Sequence, residues 1–195
     1  MTSSAARILD AARDCVARVG LSKTTVDDVA REAGCSRATL YRHFAGKQPL
    51  LDALVEREIS RLDMELAGVV TDVDNLAGAC TALVVAGAEA LLDHPALATV
   101  LAVEPTVLLP ALSFDGSAEL HRRARLLVAT HLRRFVDSDR TAERLAELLV
   151  RIVVSHLSSP APQAPITDPE IAGRMVERYI VPGFVREPAL ERQSS

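Results

Sequence analysis

Hydrogen-bond donors are concentrated in one short stretch of the chain, residues 37–43, which reads R-A-T-L-Y-R-H. Guanidinium, hydroxyl, phenol and imidazole groups therefore fall within about two helical turns. Leu40 and Phe44 are four residues apart, so they form the inward side of a helix and leave the polar side chains on its other faces. A hairpin that only packs into a core has no need of such donors, whereas base edges in the DNA major groove present matching acceptors.

The segment before this stretch predicts a second helix and a tight turn. Thr25 can cap that helix, with Asp28 three residues later as the second member of a capping box. Gly34 ends the helix where a left-handed backbone is favourable, and Ser36 offers a new N-cap. Two helices joined by so short a turn predict a helix-turn-helix, in which the second helix enters the major groove.

Helices on either side support this unit. Ser3 or Ser4 can cap a first helix that Gly20 ends. A longer helix opens at Lys47 and keeps its apolar period to about Val70. We therefore expect three helices that form a head, followed by a long connecting helix. The expected buried stripe of the first helix consists of Ile8, Leu9, Ala12, Val16 and Val19.

Residues 8–54 resemble the DNA-binding domain of the TetR family of transcriptional regulators. The most specific part is the run L-Y-R-H-F followed by Lys47. Cys35 departs slightly from the family pattern, in which an aliphatic residue is more usual, but a cysteine in the turn packs as a small hydrophobe. The resemblance is carried by Thr25, Val29, Ala30, Ala33, Gly34, Ser36, Thr39, Leu40, Tyr41, His43, Phe44, Lys47 and Leu50.

The resemblance implies that different residues of the head contact the DNA phosphates and the groove. It assigns Thr25, Tyr41 and Lys47 to phosphate contacts and the recognition helix to the groove, with Arg37 and Thr39 as its leading residues. Physical chemistry agrees, because backbone N–H groups at helix N-termini favour anions. It also implies an effector-responsive C-terminal domain whose movement spreads the two heads of a homodimer. The expected DNA contacts are Thr25, Ser36, Arg37, Ala38, Thr39, Tyr41, Arg42, His43 and Lys47.

Charge is unevenly divided along the chain. The net charge of −4 by itself argues against binding a polyanion. Residues 1–47, however, contain eight bases and five acids, which is an excess of three positive charges, whereas the remainder carries seven negative ones. Local potential governs phosphate binding more than the total does, so this distribution is compatible with a DNA-binding head.

The composition favours an all-α, cytoplasmic protein. Aromatic residues make up 3% of the chain and Trp is absent, while Ala, Leu, Val and Arg dominate. The cysteines at 15, 35 and 80 show no metal-ligand spacing and no even pairing, which indicates a reduced compartment. No signal peptide is expected, and the apolar run from Leu76 to Leu92 is better explained as a buried helix than as a membrane span.

An apolar helix is expected over Asn75–Asp93, followed by an apolar, proline-broken segment, Pro95–Phe114. Together they are candidate walls of a pocket for a lipophilic effector. The alternatives are a plain core without a cavity and, for the carboxylate within the helix, an internal salt bridge to an arginine. The candidate ligand contacts are Glu89, Glu104, Thr106 and His121.

Three more helices are expected towards the C-terminus. The first runs from Gly116-Ser117 to about Val136, and its arginines are interpreted as a solvated face balanced by neighbouring acids. Thr141–Leu157 has two apolar sides, which suggests one partner on another chain. Asp168 caps a last helix that Pro182-Gly183 ends. The last two helices are predicted to form a two-fold, four-helix dimer interface.

Motifs for catalysis or cofactor binding are missing from the sequence. It contains no phosphate-cradling glycine pattern, no H-E-x-x-H and no G-x-S-x-G. A metal site built from His94, His121 and Glu89 is imaginable, but core or solvent-facing histidines are the favoured interpretation. We therefore expect no catalytic residues, no metal and no cofactor.

Together with the resemblance, these patterns predict an all-α protein with two domains. Residues 1–47 are expected to form a three-helix helix-turn-helix DNA-binding domain, and residues 48–195 a helical ligand-binding and dimerisation domain. The expected function is a homodimeric repressor that a lipophilic small molecule releases from a palindromic operator on double-stranded DNA. The alternatives are a constitutive DNA-binding protein without an effector and an enzyme on a helical scaffold.

Overall fold

A computed structural model describes residues 3–104, 106, 118–159 and 161–185, and every regular element in these ranges is helical. The all-α prediction is therefore confirmed. The chain divides into two compact units, the first made of residues 1–62 and 91–117 and the second of residues 63–90 and 118–195. The predicted boundary after residue 47 concerns the DNA-binding head alone and stays a prediction.

The helix boundaries follow the sequence patterns closely through the first half of the chain and less closely in the second. A 3-10 turn, Arg133–Phe135, follows α7, and a π-helical turn, Val176–Ile180, follows α9. The α-helices in chain order are α1 (Ser4–Val19), α2 (Val26–Glu32), α3 (Arg37–His43), α4 (Lys47–Val70), α5 (Leu76–Leu92), α6 (Pro95–Val103), α7 (Ala118–Leu132), α8 (Asp139–Ser158), α9 (Pro169–Met175) and α10 (Pro182–Val185).

Side-chain caps decide where several of these helices begin. Ser3, Thr25, Ser36 and Asp168 each accept a backbone N–H from two or three residues later, over 2.9 to 3.2 Å. The first N–H groups of a helix have no partner within it, so these oxygens satisfy donors that would otherwise need water. The predicted caps at these four positions are confirmed.

The head is held together by one apolar cluster shared by α1, α2, α3 and the start of α4. Leu40 is fully buried there, and Phe44 packs against the cluster from its edge, as their spacing predicted. Val19 was predicted to lie in the buried stripe of α1 and is instead 38% exposed, while Cys15 is buried. Val19 is the last helical residue of α1, and the buried stripe of the helix ends one turn earlier, at Cys15 and Val16.

The second unit is organised by α5, α7 and α8. One side of α5 is buried through residues such as Cys80 and Leu83, but Glu89 is exposed, so its carboxylate has no need of an internal partner. Arg125 of α7 forms ion pairs with Glu143 and Glu147 of α8, which agrees with the expected balancing of this basic face.

Two helix ends lie close to their predicted positions but differ in detail. The first of the C-terminal helices stops being α-helical at Leu132 rather than near Val136, because a 3-10 turn follows. The helical run that Asp168 caps ends at Ile180, shortly before Pro182 as predicted, but Pro182 then opens a further short helix, α10. A proline is tolerated in a first helical turn, since its missing N–H has no acceptor there.

Candidate nucleic-acid interface

The turn between α2 and α3 is closed by backbone and side-chain bonds. Gly34 has a φ of +62°, and the Cys35 N–H donates to the Ala30 carbonyl at 2.9 Å, which is the pattern of a glycine-ended helix. Arg7 of α1 donates from Nη2 to the Ala33 carbonyl at 2.6 Å. These bonds satisfy carbonyls at the end of α2 and set the direction in which α3 leaves.

The recognition helix α3 presents its polar residues outward. Thr39 is half-buried, and its backbone N–H and hydroxyl both contact the Ser36 hydroxyl, at 3.1 and 2.9 Å. Tyr41 is 47% exposed although it follows the buried Leu40 directly. The structure thus places the predicted groove residues together on the solvent-facing surface of α3, around the buried Leu40. The exposed members of this face are Ser36, Arg37, Ala38, Tyr41, Arg42 and His43.

The predicted phosphate-binding residues at the two helix N-termini already have protein partners. The Thr25 hydroxyl accepts the Asp28 N–H at 3.1 Å and donates to the Asp28 carboxylate at 2.5 Å. This bond, with a smaller contribution from Arg31, holds the pKa of Asp28 below its ordinary value. Lys47 donates from Nζ to the Ser22 carbonyl at 3.1 Å. Hydrogen bonds therefore hold both side chains in place at the N-termini of α2 and α4.

An ion pair joins the first turns of the two helices of the motif. Arg37 Nε lies 2.7 Å from Asp27 Oδ1, and the two side chains are 67% and 51% exposed. Asp27 was not singled out in the sequence, although an acid in the first turn of α2 was a visible signal.

The end of α6 holds the turn that follows α1. The Glu104 carboxylate accepts the Leu21 N–H at 2.8 Å and the Ser22 N–H at 3.1 and 3.2 Å. Gly20 has a φ of +87°, and a Cβ built there would lie 2.9 Å from Glu104 Cδ. The carboxylate is partly desolvated, which opposes ionisation, but the bonds from Ser22 and Leu21 outweigh this and lower the pKa of Glu104.

A second bond ties α6 to the same end of α1. The Thr99 hydroxyl donates to the Ala17 carbonyl at 2.5 Å. Apolar packing of Val16 against Ala96 and Val100 surrounds it. The sequence suggested Glu104 as an effector contact, whereas the structure gives its carboxylate backbone partners in the head. No sequence signal could have shown this, because the partners are more than 80 residues away.

The other candidate effector contacts lie in different settings. Glu89 and Thr106 are exposed, and His121 is half-buried on α7. The predicted pocket wall includes residues 105 and 107–114, which lie outside the described residues, so the effector pocket stays a prediction. A cavity of about 280 Å³ occurs elsewhere in the second unit. It is lined by Leu76, Phe135, Val136, Asp137, Ser138, Thr141 and Phe184.

Comparison with known proteins decides the family. The family model described as bacterial regulatory proteins, tetR family, matches residues 8–54, the same residues whose pattern suggested it. An uncharacterised HTH-type transcriptional regulator of Mycobacterium tuberculosis is 33% identical over 172 residues, which cover 77% of this chain and 85% of that protein. The chain belongs to the TetR family. It is a DNA-binding transcriptional regulator of that family.

Further comparisons agree with this assignment. The HTH-type transcriptional regulator AlkX of M. tuberculosis is 28% identical over 181 residues, covering 90% of this TetR-family chain and 82% of that protein. The crystal structure of the TetR family repressor AlkX from Dietzia sp. strain DQ12-45-1b has a TM-score of 0.68 and 22% identity. Its match covers 94% of this chain and 96% of that one. At this identity the structural likeness concerns the fold.

The remaining features of the TetR-family chain concern metal binding, thiol reactivity and membrane spanning. Within the described ranges, no three His, Cys, Asp or Glu residues are grouped to hold a metal ion. Burial raises the pKa of the Cys80 thiol to about 12, so this cysteine is unreactive at neutral pH. Among the described helices none alone is long and apolar enough to cross a membrane, and only the pair α5 and α6, bent at their junction, reaches that length and composition.

Proposed function

We propose that this TetR-family regulator is a homodimeric repressor that a lipophilic small molecule releases from a palindromic operator. A bacterial operator lies in the cytoplasm, so the proposal places the protein there. The Dietzia AlkX repressor is implicated in n-alkane biodegradation, which supports an apolar compound as the first effector to test.

We propose that different residues of the DNA-binding surface contact the bases and the phosphates. Arg37 and Thr39 lie in the first turn of α3, the part of a recognition helix closest to base edges. Thr25 and Lys47 lie at the starts of α2 and α4, where backbone N–H groups favour a phosphate. In a dimer the two heads read half-sites about 34–36 Å apart, one turn of the DNA helix.

The observation that carries the effector response is the attachment of α6 to the end of α1. Glu104 and Thr99 bond to backbone atoms between Ala17 and Ser22, and the Ser22 carbonyl accepts the Lys47 ammonium group. A ligand that shifts α6 therefore has a direct route to a residue proposed to bind phosphate. We propose that Glu104 acts in this connection rather than as a ligand contact. Glu89, Thr106 and His121 remain the proposed polar contacts of the effector.

Two steps test the proposal. Selection of genomic fragments with the purified full-length protein should recover a palindrome with half-sites one helical turn apart. A library of lipophilic compounds should then contain ligands that weaken operator binding by about 5- to 150-fold, since allosteric couplings are typically ~1–3 kcal/mol. If operator affinity is unchanged by every compound, the constitutive alternative is favoured; recovery of no preferred sequence contradicts the proposed operator.

Variants of the α6 connection test its part in the response. Glu104→Ala and Thr99→Val should still bind the operator but should show a smaller change in affinity on adding an effector found in the library. Glu65→Ala removes the same charge from an exposed position on α4 and should respond like the wild type. Equal responses in all four proteins would contradict the assigned role of α6.

A further inference from the structure

We propose that Asp27 is a positioning residue for Arg37 and thereby helps to determine which base pair the recognition helix prefers. The proposal rests on the proposed role of Arg37 in reading bases. It starts from the contact between Arg37 Nε and Asp27 Oδ1, 2.7 Å apart. The two residues belong to different helices, so this contact links the orientation of the arginine to the position of α2.

Asp27 contacts Nε of the Arg37 guanidinium group, and this choice of nitrogen determines which donors remain for a base. A guanidinium group carries five N–H donors in a fixed plane, and a guanine accepts two of them at O6 and N7. A carboxylate at Nε leaves the edge formed by the two terminal nitrogens for the base. Arginine is long and flexible, so an arginine already held in one orientation loses less side-chain freedom when it meets the DNA.

Neighbouring acids have other partners. Asp28 is bonded to Thr25, the N-cap of α2, and paired with Arg31 in the last turn of the same helix. Glu32, the third acid of α2, is paired with Arg18 of α1 at 2.8 Å. In the described part of the chain, Asp27 is thus the acid of α2 that forms an ion pair with a residue of α3.

The pair is too exposed to serve chiefly as a fold-stabilising contact. Side chains that are 67% and 51% exposed are screened by water and salt, and such pairs contribute little to folding. A carboxylate close to a DNA-binding surface also repels phosphates. If Asp27 did nothing except carry charge, removing it would raise affinity for all sequences alike. A positioning role instead predicts a change in sequence preference.

The test compares base preferences by selection from random duplexes with the full-length protein. The variants are Arg37→Ala, Asp27→Ala, the isosteric Asp27→Asn and the double variant Asp27→Ala with Arg37→Ala. Asp14→Ala is the matched control, since Asp14 is 52% exposed and pairs with its own neighbour, Arg13. Melting temperatures within about 2–4 °C of the wild type would show that each variant is folded.

We expect Arg37→Ala to abolish preference at one symmetric pair of positions. Asp27→Ala should weaken preference at the same positions by about two- to fivefold, the range that an exposed ion pair can supply. Asp27→Asn, which removes the charge, should do the same to a smaller extent, and the double variant should match Arg37→Ala. The control should keep the wild-type preference.

The outcomes that would contradict the positioning role of Asp27 differ from those that would contradict base reading by Arg37. If Arg37→Ala alters the preference but Asp27→Ala and Asp27→Asn leave it intact, the positioning role is wrong while base reading by Arg37 stands. If Asp27→Ala only raises affinity for all duplexes, Asp27 acts merely as a negative charge. If Arg37→Ala leaves the preference unchanged, base reading by Arg37 is wrong and the role of Asp27 is overturned with it.

Discussion

At the scale of single residues, Gly20 shows how a turn depends on a side chain from elsewhere. Its φ of +87° and ψ of 172° lie in a region that is essentially restricted to glycine. Its missing side chain also leaves the space that the Glu104 carboxylate occupies. Both the backbone conformation and the space needed by Glu104 therefore require glycine at position 20.

Gly20→Ala should lower the free energy of unfolding by on the order of 1–3 kcal/mol, because the backbone would be strained and Glu104 would be displaced. Urea unfolding followed by circular dichroism measures the change. The control is Gly68→Ala, since Gly68 lies within α4 with open space around it, and this variant should be about 0.5–1 kcal/mol more stable than the wild type. Equal stability of Gly20→Ala and wild type would contradict the clash.

Lys47 is proposed to exchange its bond to Ser22 for a DNA phosphate. Lys47→Ala should therefore lower affinity for every duplex by a similar factor and reduce the slope of log K against log salt by about one unit. Titrations at several salt concentrations, on the selected operator and on a scrambled duplex, measure both effects. A loss confined to the operator would instead place Lys47 among the base-reading residues.

At the scale of elements, ion pairs and carboxylates attach neighbouring helices to each other. Arg57 of α4 donates to the Asp10 carboxylate at 2.8 Å and to the Ala6 carbonyl at 3.3 Å, both on α1. It also donates twice to Glu58, whose pKa is raised by burial but lowered more by Arg57 and the charges around it. Together with Glu104, these contacts attach α4 and α6 to α1.

Acid should loosen the attachment of α6 to α1 in a predictable direction. The pKa of Glu104 is lower in the folded than in the unfolded chain, so its contribution is complete above the ordinary value of 4.5 and is lost as pH falls through the folded value. Glu104→Gln should therefore be less stable than the wild type at pH 7. The difference should shrink as the pH falls below 4.5 and through the lowered folded pKa, because the wild-type side chain then becomes neutral as well. Urea unfolding across this pH range measures it, and a difference independent of pH would contradict the role of the charge.

At the scale of the whole molecule, the apolar surface of α8 is only partly covered by its own unit, and residues of both predicted sides are buried. Leu145, Leu149 and Val153 are buried within their own unit, whereas Leu148 and Ile152 are only half-buried. Tyr179, after α9, is 72% exposed. The remaining apolar surface of α8 and α9 is where we propose that a second copy packs.

Ile152→Glu should convert the proposed dimer into monomers, because the carboxylate would be desolvated beside its own copy across a two-fold axis. Sedimentation velocity at micromolar concentration measures the change, and the monomer should lose affinity for two half-sites. Val153 is the contrasting position, since it is 8% exposed and a charge there should unfold the chain rather than only separate it. A wild-type protein that sediments as a monomer would contradict the dimer.

Local patterns were sufficient to predict the head. The caps at Thr25 and Ser36, the glycine at position 34 and the spacing of Leu40 and Phe44 specify a helix-turn-helix through interactions that span only a few residues. Short-range interactions of this kind are visible in a sequence, and for that reason the recognition helix and its exposed face were predicted correctly.

Tertiary structure decided what those residues contact. The pairing of Arg37 with Asp27, of Lys47 with Ser22 and of Glu104 with the turn after Gly20 joins residues that are 10 to more than 80 positions apart. The same holds for Glu89, which the composition of its helix suggested was buried and which is exposed. Periodicity shows that a helix has an apolar side, but only packing determines which polar residues are covered and which backbone groups they reach.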